Sequence, residues 1–193
     1  MNERIWKPNV TVAALIERDG RYLLVEEETD DGIRFNQPAG HLDEGESLVS
    51  ACARESLEET AWHFTPTALV GVYQWTRPQG KALRALPFGQ TLGTPSHPPS
   101  PGEGGDQLAP SVGRSTSGDE RVTYLRFAFS GELGKHEPER ALDDGILRAV
   151  WMTPAEIEAT SPRHRSPLIW RCVQDHAAGR RFPLDLIKHY SHD

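Results

Sequence analysis

The sequence predicts a single α/β domain, and three observations carry that prediction. β-Branched and apolar runs flank Asp19-Gly20, the run from Leu48 to Thr60 contains neither glycine nor proline, and after Arg121 strand-like runs alternate with proline-marked helix starts. At 193 residues the chain is long enough for one well-packed core and short for two. A hydrophobic fraction of 37%, with 15 prolines and 17 glycines, points to a globular domain that carries an irregular insertion.

The elements follow in chain order. Val10 to Glu17 (VTVAALIE) and Arg21 to Glu27 (RYLLVEE) read as strands, and the Asp-Gly between them is a hairpin signal because a two-residue turn needs left-handed backbone. Thr29 to Arg34 is expected as a polar loop. Phe35 to Ala39 then leads into a glycine, with Pro38 confined to a strand edge or loop because it lacks an N–H. Ser47 is a suitable N-cap for a helix over Leu48–Thr60. Phe64 to Trp75 (FTPTALVGVYQW) reads as an extended segment interrupted by Pro66.

From Pro95 to Gly118, 15 of 24 residues are Pro, Gly or Ser, too polar and too flexible a composition to order itself by burial. The whole insertion, about residues 79–119, is expected to be disordered and to serve either as a surface spacer or as a lid. Arg77, Lys81 and Arg84 stand at its start and are placed to face an anion.

Arg121 to Ser130 (RVTYLRFAFS) is the next strand, with Val122, Tyr124, Arg126 and Ala128 on one face and Leu125, Phe127 and Phe129 on the other. Ile146 to Met152 is a further strand. Thr153-Pro154 opens a helix, and Ser166-Pro167 opens the last one by the same logic, ending near Ala178 before Gly179. Pro183 to Tyr190 forms a tail that packs on the body.

The stretch from Gly40 to Trp62 carries the chemistry. It reads GHLDEGESLVSACARESLEETAW: a glycine, five residues, Glu46, seven residues, Arg54-Glu55, two more, then Glu58-Glu59. At about 100° per residue, Glu55, Glu58 and Glu59 fall within an arc of roughly 100°, with Val49, Ala53, Ser56 and Thr60 opposite. Three carboxylates on one face repel one another unless a cation sits among them, and a hard divalent ion, Mg²⁺ or Mn²⁺, suits oxygen ligands. Gly40 marks a place where backbone approaches a metal or ligand closely. A solvated acidic face would not need the preceding glycines and Glu46 at those spacings.

This spacing resembles the Nudix box. WKPNVTVAALIERDG, LLVEEE, NQPAGHLDEGESL, YQW, YLRFAF and HRSPL also resemble one branch of the Nudix hydrolases, over nearly the whole chain outside the insertion. The resemblance implies an α/β/α sandwich with a mixed β-sheet. It further implies Mg²⁺-dependent (or Mn²⁺-dependent) hydrolysis of phosphoanhydrides, with nucleoside di- and triphosphates or the pyrophosphorylated pyrimidine precursor of thiamine as substrates. The site residues it implies are Glu55, Glu58 and Glu59 with the Gly40 carbonyl as metal ligands, Arg54 orienting the glutamates, and Glu46 closing a loop-to-helix salt bridge to Arg54.

Arg126, Gln37 and Trp75 are candidates to hold the substrate, although Arg126 is equally readable as an edge residue whose head reaches water. Trp75, Tyr73 and Phe35 offer stacking surfaces or core contacts. Asp143, Asp144 and Glu132 are candidates for an additional acid or base, or simply solvate their loops. Three positions depart from the box: Ala61 where a glycine would end the helix, so that the helix is expected to end differently, Ser56 where an apolar residue would pack, and Ala39 in place of a second entry glycine.

Charge and cysteine usage exclude other classes. A net charge of −7 disfavours nucleic-acid binding, and six acids against Arg54 place −5 of charge in the box alone. Cys52 and Cys172 are too few for a disulfide scaffold or zinc cluster and are expected as buried thiols, while the eight histidines are expected on the surface. The polar N-terminus and the lack of a long apolar run lead to the expectation of a cytoplasmic protein without membrane contact, acting on a small molecule as a monomer or homodimer. The box does not choose the leaving group, so a nucleotide-sugar pyrophosphatase or a non-catalytic nucleotide sensor are the competing readings.

Overall fold

The computed structural model describes residues 6–78 and 121–190; the segment expected as an insertion, with Lys81 and Arg84, lies outside the described residues. The elements are β1 (Asn9–Leu15), β2 (Glu17–Arg18), β3 (Arg21–Thr29), β4 (Gly32–Asn36), β5 (Ala39–His41), α1 (Leu48–Thr60), β6 (Trp62–Pro78), β7 (Arg121–His136), β8 (Ile146–Met152), α2 (Pro154–Ala159) and α3 (Leu168–Ala177). One sheet has the order β5-β1-β7-β6, with β1 and β7 parallel and the other pairs antiparallel, so it is mixed. In the second sheet β3 pairs with β2, β4 and β8, all antiparallel.

The strand β1 explains the layering. Val12 and Ala14, with Ile16 just beyond, pack with Ala51 and Cys52 of α1. Leu15 packs instead with Ile157 of α2 and with Ile169, Cys172 and Val173 of α3. A strand buried on both faces reads as a continuous apolar run, which is what VAALI is. Helices on both faces of strands make the α/β/α sandwich, and the two expected faces of β7 divide accordingly, Ala128 toward α2 and α3, Phe127 and Phe129 toward α1.

The Asp-Gly hairpin forms as the sequence predicts. Asp19 (φ 53°) and Gly20 (φ 75°) both adopt left-handed backbone, and the Leu23 N–H donates to the Ile16 carbonyl at 2.9 Å. The polar loop expected over Thr29–Arg34 is much shorter. It is a tight turn at Asp30-Asp31, braced by the Thr29 hydroxyl donating to the Gly32 carbonyl at 2.7 Å, and β4 begins at Gly32. β6 is longer than expected because it pairs with β7 along its length at the sheet edge, where Pro66 is tolerated beside a break in register.

α1 has the predicted limits, and the Ser47 hydroxyl accepts the Ser50 N–H at 3.0 Å. Its end does not differ as expected: Ala61 itself takes the left-handed cap (φ 57°, ψ 17°), and its carbonyl accepts the Glu137 N–H at 2.8 Å. The expected division of its faces is corrected too. The buried side holds Ala51, Cys52, Glu55, Ser56, Glu59 and Thr60, so two of the acids lie on the core side rather than opposite it. Ser56 is fully buried, its hydroxyl bonded to the Cys52 carbonyl at 2.7 Å.

Thr153 and Glu156 form a reciprocal capping box at α2, as Thr-Pro predicts. α3 starts at Leu168 after Pro167 with no side-chain cap, so the Ser166 hydroxyl does not do the work its position suggests. Both cysteines are buried free thiols. His164 and His176 are buried, against the expectation of surface histidines, because one follows a 3₁₀ turn beneath Phe35 and the other lies on the inner face of α3 beside Tyr22. The tail packs: Leu69 and Phe182 exchange backbone hydrogen bonds at 2.8 and 2.9 Å, and Leu184 and Ile187 join the α1-side core.

Candidate active site

The turn before α1 is set by Gly45 (φ 79°) and by the Glu46 N–H donating to the Asp43 carbonyl at 3.2 Å. It delivers Glu46 to Arg54. The Arg54 guanidinium then joins loop to helix: Nε and Nη2 bind the Glu46 carboxylate at 3.1 and 2.9 Å, Nη2 donates to the His41 carbonyl at 3.1 Å, and Nη1 reaches Glu55 at 2.7 Å and Glu58 at 3.0 Å. Arg54 holds the Glu46 carboxyl below its ordinary pKa, and Glu46 in turn fixes Arg54 in its charged form.

Glu55 and Glu59, one helical turn apart, stack on the face that α1 presents to β5. Each is 8% exposed. Burial raises the Glu55 pKa in spite of the Arg54 contact. Burial also pushes the Glu59 pKa to about 8, opposed by the Ala39 N–H that donates to it at 2.8 Å and reinforced by the charges of Glu55, Glu27 and Asp143. Gly40 lies directly against this pair, and a Cβ there would overlap the Glu55 carboxylate. Glycine is needed here for space, since a side chain would close the approach between β5 and α1.

These residues fit a divalent cation: buried oxygen donors, a backbone cradle that admits no Cβ, and, among the described residues, no cationic side chain on Glu59. Among the described residues no three acidic, histidine or cysteine side chains stand at metal-ligand spacing, and Arg54 Nη1 holds both Glu55 and Glu58.

Glu55, Glu59 and Gly40 line a cleft of about 870 Å³ whose other walls include Thr11, Glu27, Asn36, Trp75, Arg77, Tyr124, Arg126, Arg165 and Ser166. Arg126 is buried and donates to Gln37 at 3.0 Å and Asn36 at 3.3 Å. Burial lowers its pKa, opposed by Cys172 and by the charges of Glu27 and Glu59. It is therefore not an edge residue reaching for water. Gln37 lies beneath the cleft rather than in its wall, 1% exposed, its amide spanning Arg126 and the Ile169 carbonyl.

Trp75 stands in the wall, stacked on Tyr124 with ring centroids 5.8 Å apart, and the Arg77 guanidinium lies 5.9 Å from the Tyr124 centroid. Tyr73 bonds Asp175 instead, and Phe35 is core, lying under Arg163. The Asp143 N–H donates to the Glu58 carbonyl at 3.1 Å, so its loop lies over α1 and its charge bears on Glu55 and Glu59. Glu132 is placed elsewhere, opposite Thr65 and six residues along β7 from Arg126, roughly 20 Å at strand spacing. Sequence reasoning missed Glu27, Tyr124, Arg165 and Ser166 as parts of this wall; the available signal was that LLVEEE, YLRFAF and HRSPL, which contain them, lie far apart in a chain that resembles one family throughout.

The chain is similar to known proteins along most of its length. The NUDIX domain model matches residues 6–87. The phosphatases NudJ of Escherichia coli K12 and Shigella flexneri are each 30% identical over 183 residues, covering 95% of this chain and 92% of theirs. A NUDIX hydrolase structure from Nitrosomonas europaea is 42% identical, covers 95% of this chain and 98% of its own, and superposes with a TM-score of 0.70. A MutT NUDIX hydrolase from Burkholderia pseudomallei, 15% identical with a TM-score of 0.55 over 88% of this chain and 98% of its own, shares the fold.

Proposed function

Since the chain belongs to the Nudix hydrolases, we propose that it hydrolyses the phosphoanhydride bond of nucleoside di- or triphosphates, or of the pyrophosphorylated pyrimidine precursor of thiamine, with Mg²⁺ or Mn²⁺. The observation that carries this reading is the pairing of two buried carboxylates, Glu55 and Glu59, with the buried Arg126 in the same cleft. Buried acids on one wall and a buried guanidinium on another suit a ligand that is itself polyanionic and arrives with cations.

Glu55, Glu58, Glu59 and the Gly40 carbonyl would hold the metal, which when bound neutralises diphosphate oxygens and offsets charge developing on the leaving group. To serve in that role Glu55 and Glu58 would turn from Arg54, which would keep Glu46 and the His41 carbonyl as partners. Arg126 is aimed by Gln37 and Asn36 to meet a phosphate oxygen. The proton of the attacking water would pass to a carboxylate of this wall, one of the same glutamates, or to Asp143, whose loop is tied to α1 by its N–H on the Glu58 carbonyl. Trp75 presents its ring to the substrate's organic part.

The test is a panel of nucleotides and pyrophosphorylated metabolites, scored for released phosphate or pyrophosphate with and without Mg²⁺. Metal-dependent release from at least one is expected. Silence across the panel, with the protein folded, would reject the reading.

A further inference from the structure

The acids of α1 and Arg126 stand at two ends of the cleft, and the strand register shows what lies between them. Across the first sheet His41 of β5 is opposite Thr11 of β1, Thr11 is opposite Arg126 of β7, and Arg126 is opposite Tyr73 of β6. Residues opposite one another on neighbouring strands share a face. His41, Thr11 and Arg126 therefore form one row, and all three line the cleft. The row on one side of it is Ala39, Ala13 and Ala128, which offers no side-chain donor. The row on the other side carries the stacked pair Tyr124 and Trp75. Gly40, between Ala39 and His41, faces the other way and meets Glu55, so the row ends at the sheet edge where the acids stand.

Thr11 is the member of this row that the fold does not account for. It is a polar residue in the apolar run VTVAALI, at the point where β1 becomes buried. At 7% exposure valine would serve the strand at least as well, with the same shape and no hydroxyl to withdraw from water. Among the described residues the Thr11 hydroxyl has no hydrogen-bond partner, and it is open to the cleft rather than sealed beneath it.

We infer that Thr11 is a substrate-binding residue, and that with His41 and Arg126 it forms a row of donors on which the substrate's diphosphate lies, crossing β1 from Arg126 to the acids of α1. A hydroxyl, an imidazole N–H and a guanidinium each donate to phosphate oxygens. Neighbouring strands lie about 4.8 Å apart, so β7 and β5 are separated by roughly 10 Å. A chain of two or more phosphates spans that distance above Thr11, whereas a single phosphate occupies one end of it. The Tyr124–Trp75 pair beside Arg126 places the organic part of the substrate at the Arg126 end.

The inference rests on the hydrolase reading for the substrate's phosphoanhydride, so its test separates binding from turnover. Wild type, Thr11→Val, Thr11→Ser and His41→Ala are first checked for folding by thermal melting, where Thr11→Val is expected to melt no lower than the wild type. Calorimetry with Ca²⁺ in place of Mg²⁺ then measures binding of inorganic pyrophosphate and inorganic phosphate. The wild type is expected to bind pyrophosphate more tightly than phosphate. Thr11→Val and His41→Ala should each weaken pyrophosphate by roughly tenfold, the usual worth of a hydrogen bond to a charged group, and Thr11→Ser should restore most of the loss. With Mg²⁺, kcat/KM for nucleoside di- and triphosphates should fall in Thr11→Val by a similar factor. Pyrophosphate binding that depends on Thr11, without hydrolysis of any nucleotide or pyrophosphorylated metabolite, would reject the hydrolase reading and retain the row. A wild type that binds no pyrophosphate, a folded Thr11→Val protein with unchanged affinity, or a Thr11→Ser protein as impaired as Thr11→Val would overturn the row.

Discussion

Replacing Glu59 by glutamine separates the chemical role of its charge from its structural role. Glutamine keeps an oxygen for the Ala39 N–H, which donates to Glu59 at 2.8 Å, and changes neither volume nor burial. The charge, however, is costly in the metal-free protein, where the pKa is raised from 4.5 to about 8. A folded pKa above the unfolded one means that the native state holds its proton more tightly. Its stabilising effect is complete below about pH 4.5 and is lost as pH rises through about 8. At about 1.4 kcal/mol per unit, Glu59→Gln should overtake the wild type across that window by at most about 5 kcal/mol.

The assay is urea unfolding of both proteins in chelator at a series of pH values, read as a difference curve that cancels groups common to both. With Mg²⁺ added the order should invert, because the ion binds the wild-type native state and stabilises it by mass action, while the variant loses turnover. A difference curve that is flat from pH 5 to 8 would refute the buried-charge argument, and an active Glu59→Gln protein would refute the catalytic assignment.

Other perturbations follow from the same geometry. Gly40→Ala places a methyl on the Glu55 carboxylate and should cost about 1–3 kcal/mol in denaturant titration while abolishing metal-dependent turnover. Arg126→Lys gives up the fork that spans Gln37 and Asn36 and should lower kcat/KM by roughly ten- to a hundredfold in steady-state assays. Ser47→Ala removes the α1 cap and should lower stability by about 1 kcal/mol by thermal melting, with KM for any substrate unchanged.

The sequence made the local devices legible. Asp19-Gly20, Ser47, Thr153-Pro154 and the acids of α1 each act through near neighbours, and the structure shows the first three where the pattern places them. It was less informative where tertiary contacts decide. Glu55 and Glu59 carry the polarity of a solvent face yet lie on the buried side of α1, because β5 packs against them at Gly40. Gln37 reads as a loop amide but sits under Arg126, joined to a residue 89 positions away. Ser166 looks like a helix cap, and only the assembly of β3, β4 and the segment before α3 shows it as part of a cleft wall. Ala61 shows the converse: a residue poorly suited to left-handed backbone is held there by the strand that follows and by Glu137.

The most direct measurement is anomalous diffraction from crystals soaked in Mn²⁺. The acids of α1 acting as a cation cradle predicts a manganese peak within bonding distance of Glu59 and at least one of Glu55 and Glu58, with Arg54 withdrawn onto Glu46. Full Mn²⁺ occupancy elsewhere on the protein, with Glu55 and Glu58 still bound to Arg54, would contradict it.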